Sequence, residues 1–145
     1  MKLKDIQRAL TKLIGDIEEF KDFDIISGSN NGFSDIETPT FIVNVRGIGT
    51  SNYIDYKHKV VNVTIYYVNK EYDHVECMDI QDKLEDLIGV SLKVNDRFFT
   101  VENIDWNEQD FLQCDFTLKF NDSSNINKKT YSKMEKLDIN LQGKE

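Results

Sequence analysis

The sequence predicts an α+β fold, with a single antiparallel or mixed β-sheet and two helices packed on one of its faces. Apolar residues recur at helical spacing in two stretches, 3–17 and 77–88. Other stretches alternate apolar and polar residues with a period of two, most regularly over residues 112–120. The strand-like runs are broken by only one of the helices. That order suits strands meeting antiparallel and helices collected on one side.

The first helix places Leu3, Ile6, Leu10, Leu13, Ile14 and Ile17 on one side and Lys4, Asp5, Arg8 and Lys12 on the other, and ends near Gly15 or Phe20. Asp24-Ile25-Ile26 reads as a short edge strand before the turn signal Asn31-Gly32. Pro39, the single proline, opens the strand 40–46, where it costs no ladder bond. Gly47 to Asp55 (GIGTSNYID) reads as a mobile loop. It lacks the Lys-Ser/Thr and the fuller glycine pattern of a phosphate-binding loop.

Residues 56–68 form the next strand, with Val61, Val63, Ile65 and Tyr67 on one face and Asn62, Thr64 and Tyr66 on the other. A second helix follows over His74 to Ile88. Cys77, Ile80, Leu84, Leu87 and Ile88 are its buried stripe, Gly89 its stop, and Glu76, Asp79, Asp82, Glu85 and Asp86 its solvated faces. Asn95-Asp96 joins residues 91–94 and 97–101 as a tight hairpin. The strand from Phe98 is expected to run on to Trp106 and turn through Asn107 to Asp110. It would then return as an arm with Leu112, Cys114, Phe116, Leu118 and Phe120 facing the helices. The domain is thus expected over residues 1–120. Residues 121–129 read as a polar linker and 131–145 as an arm carrying Tyr131, Met134, Leu137, Ile139 and Leu141, so 121–145 are set apart from the domain, the arm either folding back on it or crossing to a neighbour.

At 145 residues the chain suits one core. The net charge is −8, and between residues 61 and 120 acidic side chains outnumber basic ones by more than two to one. A face exposing that acidity repels nucleic-acid phosphate. No run approaches the roughly 20 apolar residues that span a bilayer, and no apolar signal segment follows the opening MKLKDIQRAL. A cytosolic protein with two free buried thiols, Cys77 and Cys114, is expected. No G-x-S-x-G, HExxH or P-loop pattern occurs, and the two histidines, His58 and His74, stand apart from any cysteine pair, so no catalytic residue, cofactor or metal is assigned. A small hydrolase working through paired carboxylates is the enzymatic alternative.

The order of segments resembles the phage tail terminator (tail completion) family of contractile-tailed phages, prophages and phage-tail-like bacteriocins. The resemblance rests on the helix MKLKDIQRALTKLI, the strand FIVNVR, and KHKVVNVTIYYV followed by ECMDIQDKLEDLIG. The paired strands RFFTVENIDWNEQDFLQCDFTLKF and the closing KMEKLDINL complete it. It implies a self-assembling ring, usually a hexamer, that caps the head-proximal end of the tail tube, stops its polymerisation and anchors the last sheath ring or joins the neck. The implied partners are further copies of the chain, the tube and sheath proteins and a neck connector, with DNA at most passing through and no membrane. Assembly would take place in the host cytoplasm, and the ring would then be part of the particle. Another tail or head–tail joining component of similar build is the alternative within this class. The candidate interaction residues are Trp106, Tyr66, Tyr53, Lys57, Lys59, Tyr131, Met134 and Leu137.

Overall fold

The computed structural model describes residues 1–28, 36–89, 91–101 and 103–123. Helix α1 (Leu3–Gly15) and a 3-10 turn (Glu18–Phe20) lead into strands β1 (Asp24–Ser27), β2 (Thr40–Asn52) and β3 (Tyr56–Val68). Helix α2 (His74–Ile88) is followed by β4 (Ser91–Val94), β5 (Arg97–Thr100), β6 (Ile104–Glu108) and β7 (Leu112–Ser123). Five strands form one sheet in the order β1-β2-β3-β7-β6. β1 runs parallel to β2 and every other neighbour is antiparallel, so the sheet is mixed. β4 and β5 make a separate two-stranded hairpin.

The pairing register puts Phe41 beside Tyr67, Val43 beside Ile65, and Ile65 in turn beside Cys114. These residues share one face, and Ile6, Leu10 and Ile14 of α1 join Cys77, Ile80, Leu84 and Ile88 of α2 in the same buried cluster. Both helices therefore cover one face of the sheet. The small hairpin adds Leu92, Val94 and Phe99 on that side. Leu112, Cys114, Phe116, Leu118 and Phe120 are all buried there, as their alternation requires. Phe20, Phe41 and Tyr67 close one end of the core, with ring centroids 4.7 and 5.1 Å apart.

Local chemistry sets the helix ends. Asp5 accepts the Lys2 N–H at 3.1 Å, and Asp73 caps α2 through the Val75 N–H at 3.1 Å. Gly89 stops α2 at φ 52°, a left-handed value that a side chain would oppose. Asn95, in the two-residue turn between β4 and β5, holds φ 55°, which asparagine tolerates better than most residues.

Two expectations are corrected. Gly47 to Asn52 is not a mobile loop: β2 continues through it, paired with β3 residue by residue to Asn52 opposite Lys57. A bulge between Gly47 and Gly49 leaves Ile48 as the extra residue, and the two glycines accept the local distortion. Only residues 53–55 form the connection. Residues 98–106 are likewise not one strand, since β5 pairs with β4 and β6 pairs with β7 in the other sheet. Phe99 and Val101 are odd-numbered while Ile104 and Trp106 are even, and all four pack on the same core. One continuous strand could not bring both parities to one face.

β7 runs to Ser123, three residues past the Phe120 at which the apolar alternation stops. The turn signal at Asn31-Gly32 and the tail residues Tyr131, Met134 and Leu137 lie outside the described residues.

Phe116 is 2% exposed and sits in register between Val63 and Ile104. Phe116→Ala is expected to cost roughly 3–5 kcal/mol in urea unfolding, whereas Lys119→Ala, on the exposed side of the same strand, stays within about 0.5 kcal/mol. Equal effects of the two substitutions would mean that the faces are misassigned.

Candidate assembly surface

Cover along the sheet is uneven. β1 pairs only with residues 40–43 of β2, and β6 only with residues 112–116 of β7. Thr40 pairs with Val68, and Tyr67 with Leu112, so both flanking strands lie at the same end. At the opposite end β2, β3 and β7 form a three-stranded ribbon. Among the described residues, no strand pairs with its outer edges at 44–52 and 117–123. Ile48, Tyr53 and Ile54 are exposed at this end, each by about half or more.

The ladder fixes which backbone groups point outward. The Tyr53 N–H donates to the Tyr56 carbonyl at 2.9 Å across the β2–β3 turn, so the even residues of this part of β3 turn to β2. Lys57, Lys59 and Val61 then turn to β7, where they meet Asp122, Phe120 and Leu118. The N–H and C=O groups of Thr117, Lys119 and Asn121 consequently point to the open edge. The Asn121 carbonyl agrees, because it accepts from Arg97 Nη2 at 2.7 Å on that side.

Asp122 continues the core-facing parity of β7 and is 7% exposed. Its Oδ2 accepts from the Met1 amino group at 2.6 Å and pairs with Lys59 Nζ at 3.3 Å, and its Oδ1 accepts from Arg97 Nη1 at 2.6 Å. Burial pushes this carboxyl up, but the hydrogen bonds from the Met1 amino group, Arg97 and Lys59 outweigh it and hold it below the usual aspartate range. The Arg97 guanidinium also lies 5.4 Å from the ring centroids of both Phe99 and Phe120. One carboxylate thus ties α1's leader, β3 and the β4–β5 hairpin to the end of β7.

The structure separates the candidate contact residues. Tyr53, stacked on Tyr56 at 4.5 Å, lies at the ribbon end with Lys57 and Lys59, and Lys59 is engaged by Asp122 and the Met1 carbonyl. Tyr66 is on the uncovered face, buried with Ile42 and Val68 against Ile36 and Phe111. Trp106 is on the covered face: its ring packs on the main core and its Nε1 donates to Glu85 Oε1 on α2 at 2.8 Å. Sequence reasoning missed Asp122 and Arg97. The signal was available, since Asp122 extends the even-numbered core-facing series of Leu112 to Phe120.

Little else has the makings of a reactive centre. Cys77 and Cys114 are buried and free, burial pushing the Cys77 thiol up to about 11 and the Cys114 thiol higher still, so both stay protonated near neutrality. On α2, Glu76 accepts from Tyr67 and Asn69, and Asp79 pairs with Lys83 at 2.9 Å. His74 Nδ1 lies 2.5 Å from Glu108 and His58 Nδ1 lies 2.7 Å from Asn121. Among the described residues, no three His, Cys, Asp or Glu side chains are grouped to hold a metal, and no helix is long and apolar enough to cross a membrane.

A family model described as phage tail terminator protein matches residues 3–130. The chain belongs to the phage tail terminator protein family. This is a family of structural proteins of the phage tail, and membership gives the chain a structural role in tail assembly, in contact with other tail components. No curated protein matches it. Seventeen solved chains do. One of them, 12% identical, aligns over 86% of this chain and 96% of its own at a TM-score of 0.47, a likeness too low to carry an argument.

Family membership covers every described residue from Leu3 onward, so the bare ribbon edges and the Asp122 cluster both lie in the family's part of the chain. Asp122→Ala is expected to lower stability at pH 7 by about 2 kcal/mol, the range for hydrogen bonds to a charged group. Because the folded-state value is depressed, this advantage of the native protein is complete above the ordinary aspartate pKa, near 4. It should shrink as pH falls through the folded value, and urea unfolding at pH 7 and in acid measures the change. Trp106→Ala should destabilise the subunit itself, by roughly 2–3 kcal/mol for lost packing. A fully stable Trp106→Ala monomer would return Trp106 to the role of a pure contact residue.

Proposed function

We propose that the protein assembles into a closed ring of identical subunits that caps the head-proximal end of the tail tube and stops its polymerisation. The ring then anchors the last sheath ring or joins the neck. The observation that carries this reading is the family match over residues 3–130. The bare edges at 44–52 and 117–123 support it physically. Unpaired strand edges on an isolated subunit invite pairing, and folded proteins cover, charge or pair them. A sheet whose two sides differ makes heterologous contacts, which close into a ring when the rotation allows.

The tube protein is the principal partner, and the exposed Ile48, Tyr53 and Ile54 at the ribbon end supply apolar contact area for the tube or the next subunit. The net charge of −8 suits a channel that DNA must traverse without being gripped. Assembly takes place in the host cytoplasm before the ring enters the particle.

Native mass spectrometry and negative-stain microscopy, with and without growing tubes, test the proposal. Rings of uniform stoichiometry on one end of each tube, with tube length fixed by the time of addition, are the expected result. A monomer that leaves tube growth unchanged would contradict it.

A further inference from the structure

Among the described residues, a groove lies beside β7. It measures about 610 Å³ and is lined by Arg97, Phe98 and Phe99 of β5, Asp105 of β6, and Lys119 and Phe120 of β7, among others. Its floor is the open β7 edge, where Thr117 and Lys119 direct their backbone groups; just beyond it the Asn121 carbonyl already accepts from Arg97. It continues, along β7, the row that β6 occupies beside residues 112–116. Its lining is mixed, aromatic at Phe98, Phe99 and Phe120 and polar at Thr100, Asp105 and Lys119, with Phe98 69% exposed.

We infer that this groove accepts an added β-strand, and that the strand is residues 137–141 (LDINL) of a neighbouring copy of the chain. This rests on the ring reading and specifies one of its joints. A strand for this place must be short, must alternate, and must set apolar side chains toward Phe98 and Phe99 with polar ones outward. In LDINL, Leu137, Ile139 and Leu141 fall on one side, with Asp138 and Asn140 on the other. Asp138 is positioned to meet Lys119.

The spacing of this segment favours a neighbour. A return to the same β7 edge needs a turn of about 2–5 residues, whereas thirteen residues separate Ser123 from Leu137. Extended, they reach about 43 Å, far enough to cross to the next subunit. The exchange makes each joint depend on two chains, so a ring is tied together covalently along each subunit and by backbone hydrogen bonds between subunits.

The test mixes two full-length proteins, one carrying Lys119→Cys and the other Asn140→Cys, with a thiol cross-linker spanning about 10 Å. The native Cys77 and Cys114 are buried and stay out of the reaction. A covalent heterodimer formed in assembled rings supports the inference. The double variant Lys119→Cys with Asn140→Cys should then give a ladder of covalent oligomers. If it gives only an internally linked monomer, the strand belongs to its own chain and the exchange is refuted.

Rings that assemble without any cross-link at this pair would refute the strand site and leave the ring standing. A protein that stays monomeric at all concentrations would overturn both. Thr117→Pro, added to the Lys119→Cys protein, provides a second reading, because the Thr117 N–H points to the groove and not to β3. It should abolish the heterodimer cross-link while circular dichroism shows a folded subunit. A heterodimer that still forms with Thr117→Pro would count against strand addition.

Discussion

The structure depends on β3 being paired along its whole length while its neighbours are not. β2 and β7 flank all thirteen residues from Tyr56 to Val68, apart from the unpaired ends of the register. The odd-numbered side of β3 supplies Val61, Val63, Ile65 and Tyr67 to the core beneath both helices. Apolar burial on one face therefore anchors three strands at once, at about 25 cal/mol for each Å² removed from water. β1 and β6 add cover at one end only. Among the described residues, the outer edges at the other end have no partner strand. In the assembly proposed above, folding and assembly would draw on the same three strands.

This explains why the far end of the ribbon is well formed although β2 leaves the core there. Residues 44–52 leave the core progressively: Val43 is buried, Val45 half-buried, and Arg46 onward exposed. On the β2 side, pairing to β3 holds this end, while on the β7 side Leu118 and Phe120 still reach the core and the Asp122 cluster adds to them. A buried carboxylate with three cationic partners is costly to break and specific in its geometry. It locks the hairpin β4–β5 against the end of β7, and in doing so shapes the wall of the groove. Arg97 serves both purposes, since one of its nitrogens meets Asp122 and another caps the Asn121 carbonyl.

Much of this was legible in the sequence. The periods of 3.6 and 2.0 placed α2 over His74–Ile88 and β3 over Tyr56–Val68, with their buried residues, because burial on one face leaves a direct trace in the residue order. The two errors have physical causes. Glycines 47 and 49 lower the intrinsic strand preference of their segment, but a long partner strand overrides that preference and a bulge absorbs the extra residue. The break between β5 and β6 was visible as a change of parity between Val101 and Ile104, which a reading of hydrophobic density alone passes over. Polar residues surround Trp106 in sequence, which left it equally readable as a contact residue and as a corner of the core. Its indole reaches α2 only through the tertiary fold, and no local pattern encodes the Glu85 partner. Asp122 was hidden because its partners lie at Met1, Lys59 and Arg97, far away along the chain.

The central claim is that the bare edge of β7 is an assembly element. Amide hydrogen exchange resolved to single residues, on dissociated subunits and on the assembled protein, addresses it directly. In the subunit, Leu118 and Phe120 should already be protected by β3 while Thr117, Lys119 and Asn121 exchange freely. On assembly those three odd-numbered amides should become protected. Rings in which they exchange as fast as in the free subunit would contradict the account.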